Sequence, residues 1–561
     1  MKSILRLKLI GLLILLSNLL IAQNNDRRAG VITMKLSEKK CQSLETKGMW
    51  RSATGNIQMG DKSFDDLLTR SKATRLKRIF PYAGKFEAKH RKHGLHQWYE
   101  LSFDPSLDVV AVSKEYGNHQ DVSEVNYIYD AVLFDEIRTS EESLDVPPND
   151  PQYEDQWGYN NTGQTGGTAN IDINLEDAWS LETGSSNIVV AIIDTGVDPD
   201  HEDLAANMWV NSGEIAGNGI DDDNNGYIDD INGYHFAEDR GDVSSFTLDH
   251  GSHVAGTVAA VNNNGTGVAG VAGGDGTQGG VKLMSCGIFT EQGISNNIPA
   301  AFVYAADNGA VIAQNSWGSS TTGFFSPLQR AGIDYFVDEA GYDENGNPSG
   351  PMQGGLVIFA AGNDNLDSER YPAYYPRVMA VGAVDHNNDP ASFTNYGDWV
   401  DIAAPGVDIL STYRNNGYGL LSGTSMACPH VSGVAALIAS RFQGNITPAE
   451  IRERIENTAT PSNYNIPLGA GLLNAFDAIN LDASTLNFPK LEVIYDQVDE
   501  TLTYGDSHTD NLTIRNVGNL PVDYTLTPLE GIDFVDVEGQ EVERFYENLS
   551  LIHISEPTRP Y

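Results

Sequence analysis

The fold class predicted from this sequence is α/β, a mostly parallel sheet with helices on both faces. A small α+β unit precedes it and a short β module follows. Three observations lead to this reading. Between residues 187 and 458, strand-like apolar runs alternate with helix-like ones, the order that builds a parallel sheet covered on both sides. With 56 glycines among 561 residues and ordinary apolar content, the chain is rich in loops without being disordered. That length also exceeds what one core supports, so the chain divides into several units.

The first segment reads as a leader. Lys2, Arg6 and Lys8 precede an apolar run over residues 9–16, then Leu19-Leu20-Ile21-Ala22-Gln23. This is the pattern of a signal peptide over residues 1–22, cleaved after Ala22. No cysteine stands directly after that cut to carry a lipid, and no later stretch is apolar for long enough to span a bilayer. A secreted, extracellular protein with no membrane span is expected.

Residues 23–148 carry a basic cluster between Lys72 and Lys92, whereas the rest of the chain is acidic. Strand-like runs at 30–36, 96–103, 109–113 and 125–134, with a helix within 63–78, predict the small α+β unit. Ser, Glu, Asp and Pro147-Pro148 mark a linker over residues 135–150.

The body, residues 149–481, opens with a buried strand over 187–193 that ends at Asp194. His250 begins a helix running to about residue 262. Strands are predicted at 281–286, 310–315, 356–361 and 378–384, and helices at 298–306 and 448–458. In open α/β sheets the ligand cleft lies at the carboxyl ends of the strands, where Asp194, Ser316 and Asn363 fall.

Beyond the body the pattern turns to β. Runs at 491–495, 511–516 and 522–526, with a turn at Asn516-Val517-Gly518-Asn519, resemble the opening strands of an immunoglobulin-like module. Residues 487–548 hold fewer strands than the roughly seven of a complete sandwich, so the module reads as truncated. Residues 549–561, beginning Leu549-Ser550-Leu551-Ile552-His553, look like a translated sequencing adapter and are set aside. The natural protein is expected to continue past them.

Charge and cysteine content narrow the function. A formal net charge of −42 repels phosphate and argues against nucleic acid as a partner. It suits solubility in a salty exterior and equally a protein built to bind cations. Cys41, Cys286 and Cys428 make no disulfide framework. The last two sit in apolar runs, as buried free thiols do.

The chemistry centres on Gly423-Thr424-Ser425-Met426-Ala427-Cys428-Pro429-His430, where a hydroxyl stands at the mouth of a predicted helix with Pro429 in its first turn. A helix N-terminus there favours negative charge developing beside Ser425. Serine needs a base, and the base an orienting carboxylate. Asp249-His250-Gly251-Ser252-His253 and Ile192-Ile193-Asp194-Thr195-Gly196 supply both, in the order Asp, His, Ser.

These three blocks resemble the subtilisin-type serine proteases, the subtilases, over about residues 149–481. The resemblance implies a triad of Asp194, His250 and Ser425, with His253 left structural. It implies that Asn363, in Phe359-Ala360-Ala361-Gly362-Asn363, joins the Ser425 N–H in donating to an oxyanion. Asn315-Ser316-Trp317-Gly318 resembles the strip that binds substrate as an added strand, and Arg370 matches a position on the floor of the primary specificity pocket. A guanidinium there would favour Glu, or a residue of middling size, over basic side chains before the scissile bond. Residues 23–148 take the place of a pro-region that assists folding and then blocks the cleft as an intramolecular inhibitor. The reading is a secreted, calcium-stabilised serine endopeptidase, made as a zymogen and acting on proteins or peptides through an acyl-enzyme.

Rival readings are weaker. Asp-Thr-Gly also marks pepsin-like aspartic proteases, which need a second such carboxylate that this chain lacks. A sedolisin-type enzyme would have Glu for the base and Asp for Asn363. Cys428 as nucleophile is disfavoured by its place inside the helical turn. From another class, a catalytically silent scaffold acting as an adhesin or binding protein would be signalled by loss of a triad member.

A metal loop is read from Asp221-Asp222-Asp223-Asn224-Asn225-Gly226-Tyr227-Ile228-Asp229-Asp230. Asp221, Asp223 and Asn225 match positions one, three and five of a Ca2+ loop, with Gly226 at the turn, the Tyr227 carbonyl and the Asp229 carboxylate as further ligands. Asn232 replaces the closing Glu, so this is no EF-hand. By resemblance, Asp203 is a second calcium ligand, completed by Asn262, Asn263 and the Val268 carbonyl.

Overall fold

A computed structural model describes residues 27–51, 57–134, 136–137, 149–245, 247–482, 491–494 and 513–516. The predicted leader, the third strand of the β module and the adapter-like tail lie outside them. No helix among the described residues is long and apolar enough to cross a membrane.

The N-terminal unit runs β1 (Arg27–Leu36), α1 (Glu38–Lys47), β2 (Trp50–Arg51), β3 (Ile57–Gln58), α2 (Lys62–Arg70), β4 (Arg75–Arg78), α3 (Glu87–Lys92), β5 (Trp98–Ser102), α4 (Val109–Gly117) and β6 (Val122–Tyr129). The main sheet has the order β4-β5-β1-β6 and is antiparallel. Alternate residues of β1, Ile32, Met34 and Leu36, enter a core with Phe64, Leu67, Leu101 and Tyr116. Two elements differ from the sequence expectation. Residues 109–113 are helical despite their valines, because Asp108 caps the helix by accepting from the Val110 N–H. The helix expected across 63–78 stops at Arg70, and the chain returns as β4 against β5.

Two short strands, β7 (Ala131–Leu133) and β8 (Glu136–Ile137), follow. The body then continues with α5 (Leu175–Trp179), β9 (Val189–Asp194), β10 (Gly233–His235), α6 (His250–Ala259), β11 (Lys282–Gly287), α7 (Ile298–Asp307), β12 (Ile312–Asn315), β13 (Trp317–Ser319), α8 (Pro327–Glu339) and β14 (Leu356–Ala360). After these come β15 (Met379–Val384), β16 (Ile402–Pro405), β17 (Ile409–Tyr413), β18 (Gly417–Ser422), α9 (Thr424–Arg441), α10 (Pro448–Thr458) and α11 (Ala475–Asn480).

The seven-stranded sheet has the order β10-β11-β9-β12-β14-β15-β16, every pairing parallel. Both faces are covered, which is why its strands read as unbroken apolar runs. Along β9, Val190 and Ile192 face a core shared with α6 and α9, while Val189, Ala191 and Ile193 face one shared with α7 and α8. Sequence punctuation sets several helix starts. Ser326 and Thr447 cap α8 and α10 by accepting from the third residue of each helix, and a proline occupies the first turn of both.

The described residues of the N-terminal unit and of the body, as far as Asn480, form one compact unit. The basic cluster of α3 sits on acidic groups of α7 and α8. His90 Nε2 lies 2.7 Å from Asp307, and Lys89 and His93 reach Glu339 at 3.2 and 2.7 Å. Burial raises the Glu339 carboxyl, but His93 and Lys89 outweigh it and hold the group down at about 2. In the second unit, β19 (Leu491–Ile494) pairs antiparallel with β20 (Thr513–Asn516).

Candidate active site

The strand β9 lies between β11 and β12, and the strands that follow it in the chain build out first on one side, as β10 and β11, and then on the other, from β12 to β16. Such a switch point opens a crevice at the strand's carboxyl end, and Asp194 is the residue there. Its carboxylate is fully buried, a position tolerable only with partners. Asp194 Oδ1 accepts from the Thr195 N–H and lies against His250 Nδ1, both at 2.7 Å. With Nδ1–H committed to the carboxylate, the basic lone pair of a neutral imidazole is on Nε2.

His250 is the first residue of α6, and Ser425 the second of α9, on the same face of the sheet. Pro429 lies deeper in α9 than its first turn. Lacking an N–H, it leaves the Ser425 carbonyl without its helical donor, and the Ser316 hydroxyl takes that place at 2.8 Å. In return the Ser425 hydroxyl donates to the Ser316 carbonyl at 3.1 Å. Trp317 is tied back to the sheet by its indole N–H on the Ile193 carbonyl, at 2.9 Å.

Asn363 follows β14. Its Oδ1 accepts from the Thr424 N–H at 2.9 Å and from the Thr424 hydroxyl at 2.8 Å, which fixes that atom as oxygen. The Nδ2 end is buried and has no hydrogen-bond partner among the described residues. It borders Gly423, where a Cβ would stand 3.0 Å from Asn363 Nδ2 and 2.2 Å from the Phe134 carbonyl oxygen.

The chain itself crosses this cleft. On one side of Phe134, β7 adds antiparallel to β13 with Leu133 opposite Trp317, Val132 opposite Gly318 and Ala131 opposite Ser319. On the other side, β8 adds to β18 with Ile137 opposite Leu421 and Glu136 opposite Ser422. The Phe134 ring is buried against Gly318, where a Cβ would come within 2.4 Å of it. Arg370 stands 5.9 Å from the ring centroid. Its guanidinium donates to the Ser319 carbonyl at 2.8 Å and pairs with Asp364. Phe134, Asn363, Asp364 and Arg370 line one hollow.

The profile of the subtilase family matches residues 185–476, more than half of the chain. The chain belongs to the subtilase family. A second profile, the N-terminal region of the subtilase family, matches residues 47–163. The subtilase is 35% identical over 378 residues to the thermophilic serine proteinase of Bacillus sp. (strain AK1), covering 66% of this chain and 76% of that protein. It is 37% identical over 308 residues to thermitase of Thermoactinomyces vulgaris, covering 55% and 93%. Fervidolysin from Fervidobacterium pennivorans shares its fold, with a TM-score of 0.55 and 22% identity over 81% of this chain and 61% of that one. Membership makes this chain a serine endopeptidase of the subtilisin type, made with a pro-region.

Three further histidines of the subtilase are engaged elsewhere. His253 lies on the carbonyls of Ile409 and Gly419, and burial pushes it down to about 3. His201 meets the Gly417 carbonyl, and His430 the Met426 carbonyl of its own helix. Cys428 is buried at 3.5 Å from the Asn315 carbonyl, and burial raises its thiol to about 12, so it is no nucleophile. Cys286 and Cys41 are likewise free and buried.

Of the predicted metal ligands, Asp221 and Asp223 come together, and Glu214 joins them, with one oxygen of each within 4.8 Å of the others. Glu214 was invisible in the loop pattern. Asn225 turns its side-chain oxygen to the Tyr227 N–H at 2.8 Å, and the Asp229 carboxylate accepts from the N–H groups of Asn218 and Gly219. The Tyr227 ring packs between Tyr234 and Tyr304. Asp230 is fully buried beneath the loop, bonded to Tyr304, Asn225 and Asn211, and burial raises it to about 7.

Asp203 is also fully buried. It accepts from the Val268 N–H at 2.9 Å and from Asn264 Nδ2 at 2.7 Å. Burial lifts its carboxyl to about 7, with Asp150 adding repulsion. No Lys or Arg pairs with Asp203 or Asp150 among the described residues. Asn262 instead accepts from the Gly270 N–H, and Asn263 from the Asn149 N–H.

Proposed function

We propose that this subtilase is a secreted endopeptidase in which Ser425 is the nucleophile, His250 the general base and Asp194 its orienting partner. The observation that carries the reading is the buried 2.7 Å contact of Asp194 with His250 Nδ1, on a helix that packs against the one bearing Ser425. In the reaction the Ser425 hydroxyl turns from the Ser316 carbonyl to His250 Nε2, gives up its proton and attacks the substrate carbonyl. Asn363 Nδ2 and the Ser425 N–H donate to the oxygen as it becomes negative. His250 then protonates the leaving amine, and water releases the acyl group from Ser425. Substrate enters as a strand along Ser316, Trp317 and Gly318, the place β7 holds, so the N-terminal unit acts as an intramolecular inhibitor. Residues 1–22 serve as the export signal, and the acidic surface disfavours nucleic acid.

Labelling by a fluorophosphonate tests the reading: adduct on Ser425 supports it, and an unmodified Ser425 in the mature protein would point to the silent scaffold instead.

Calcium is proposed at two places. Glu214, Asp221 and Asp223 offer an all-oxygen set of the kind Ca2+ takes, with Asn225, the Tyr227 carbonyl and Asp229 in the same loop. Asp203 and Asp150 are buried carboxylates with no cationic partner among the described residues, which a divalent ion would neutralise. The ion would supply structural charge compensation only. Binding to the folded state alone adds about 2.7 kcal/mol at a hundredfold excess over Kd. A chelator should therefore lower Tm, and the drop should shrink in Asp223→Ala. Equal drops in mutant and parent would clear this loop of the effect.

The Asp203 carboxyl makes a separate prediction. Its folded value, about 7, lies above the ordinary 3.8, so the folded state binds the proton more tightly. That contribution to stability is complete below the ordinary value and is lost as pH rises to about 7. Chelated protein should thus lose Tm across that window. Calcium, or Asp203→Asn, should flatten the loss. A chelated parent and Asp203→Asn with the same pH profile would contradict it.

A further inference from the structure

We propose that the bond this enzyme cuts to free its N-terminal unit lies on the carboxyl side of Phe134, and that Arg370, already paired with Asp364, keeps charged side chains out of the pocket the Phe134 ring fills. This rests on Ser425 being the nucleophile.

The linker over residues 135–150 names no cleavage point by composition, whereas the geometry singles out one. Strand β7 ends at Leu133 and strand β8 begins at Glu136, each added to a different edge of the cleft. The Phe134 carbonyl is held between them, against Gly423 and beside the unpartnered amide of Asn363, at the start of the helix carrying Ser425. Two-sided strand pairing fixes Phe134 along the cleft as a bound substrate residue would be fixed.

The side chain agrees. The ring of Phe134 lies on the bare backbone of Gly318, and Arg370 closes the pocket at the ring's far side. Arg370 is 6% exposed and its charge is already met by Asp364, so it offers no free cation to a substrate carboxylate. The expected preference for Glu therefore gives way. An acidic or a basic side chain alike would lose its water for an ion pair already made, while an aromatic ring loses nothing polar.

In the cut, Ser425 Oγ bonds to the Phe134 carbonyl carbon as its proton passes to His250. The bond to the nitrogen of residue 135 breaks, and that amine takes the proton from His250. Water then hydrolyses the ester, leaving a Phe134 carboxylate and a free Ser425 hydroxyl.

Full-length chain should be followed by N-terminal sequencing of the first product to form, with Phe134→Tyr and Phe134→Glu alongside. The first carboxyl-side product should begin at Asp135. Phe134→Tyr should process at nearly the parent rate, and Phe134→Glu at least about tenfold more slowly. On a peptide library, the mature enzyme should cut after Phe, Tyr or Leu in preference to Glu or Lys. A first product beginning elsewhere, or unchanged processing of Phe134→Glu, would overturn the proposal. Fluorophosphonate labelling separates the failures. Labelled Ser425 with a different first cut removes only this inference, whereas no cut and no label removes the nucleophile assignment with it.

Discussion

A Ser425→Ala protein is expected to hydrolyse no peptide bond and to keep its N-terminal unit attached. Ser425 stands at the helix mouth beside Asn363, and the nearby Cys428 does not replace it, being buried with its thiol raised. The loss in kcat should be about a millionfold, a magnitude established on subtilisin itself. Because the substitution removes a hydroxyl whose acceptor is a backbone carbonyl, folding should survive, and intact mass spectrometry reads the outcome directly. Normal trimming of the mutant would show that another protease performs the maturation.

The second large effect is Asn363→Leu, expected to lower kcat by about a hundred- to a thousandfold with little change in KM. That figure too comes from subtilisin. Two contacts are lost together. The Nδ2 donor disappears from the oxyanion, and the Thr424 N–H loses its acceptor. Asn363→Asp separates them, because a carboxylate still accepts from Thr424 but cannot donate. Both variants should therefore lose kcat, while the aspartate retains more of the Tm. An unchanged kcat in the leucine variant would remove Asn363 from the mechanism.

Local sequence carried much of the site because each of its parts is anchored on a short element. Asp194 ends an apolar strand, His250 opens a helix, and Ser425 sits between Gly423 and Pro429 at the start of a later helix. Their places in the fold follow from pattern, and their choice as a triad from the resemblance. Features made by distant pairing were hidden. The charge of Arg370 is met by Asp364 rather than by its neighbour Glu369, and only the loop's closure brings them together. Glu214 joins Asp221 and Asp223 from outside the loop's own spacing. In the N-terminal unit, the valines at 109–112 signalled a strand, and one capping aspartate outweighed them. Strand β8 carries no apolar periodicity of its own, because it is only an addition to another strand's edge.

The two strands flanking Phe134 belong to one molecule only until the bond between them is cut. While the chain is whole, its tether holds β7 over the cleft at an effective concentration on the order of millimolar, whatever the protein concentration. Cutting ends that. The N-terminal unit becomes a separate ligand, still seated through β7 on β13 and through Lys89, His90 and His93 on Glu339 and Asp307. Its hold then obeys mass action, so dilution empties the cleft where concentrated enzyme stays occupied. Scission and activation are thus distinct events, and the concentration of the protein decides how far the second follows the first.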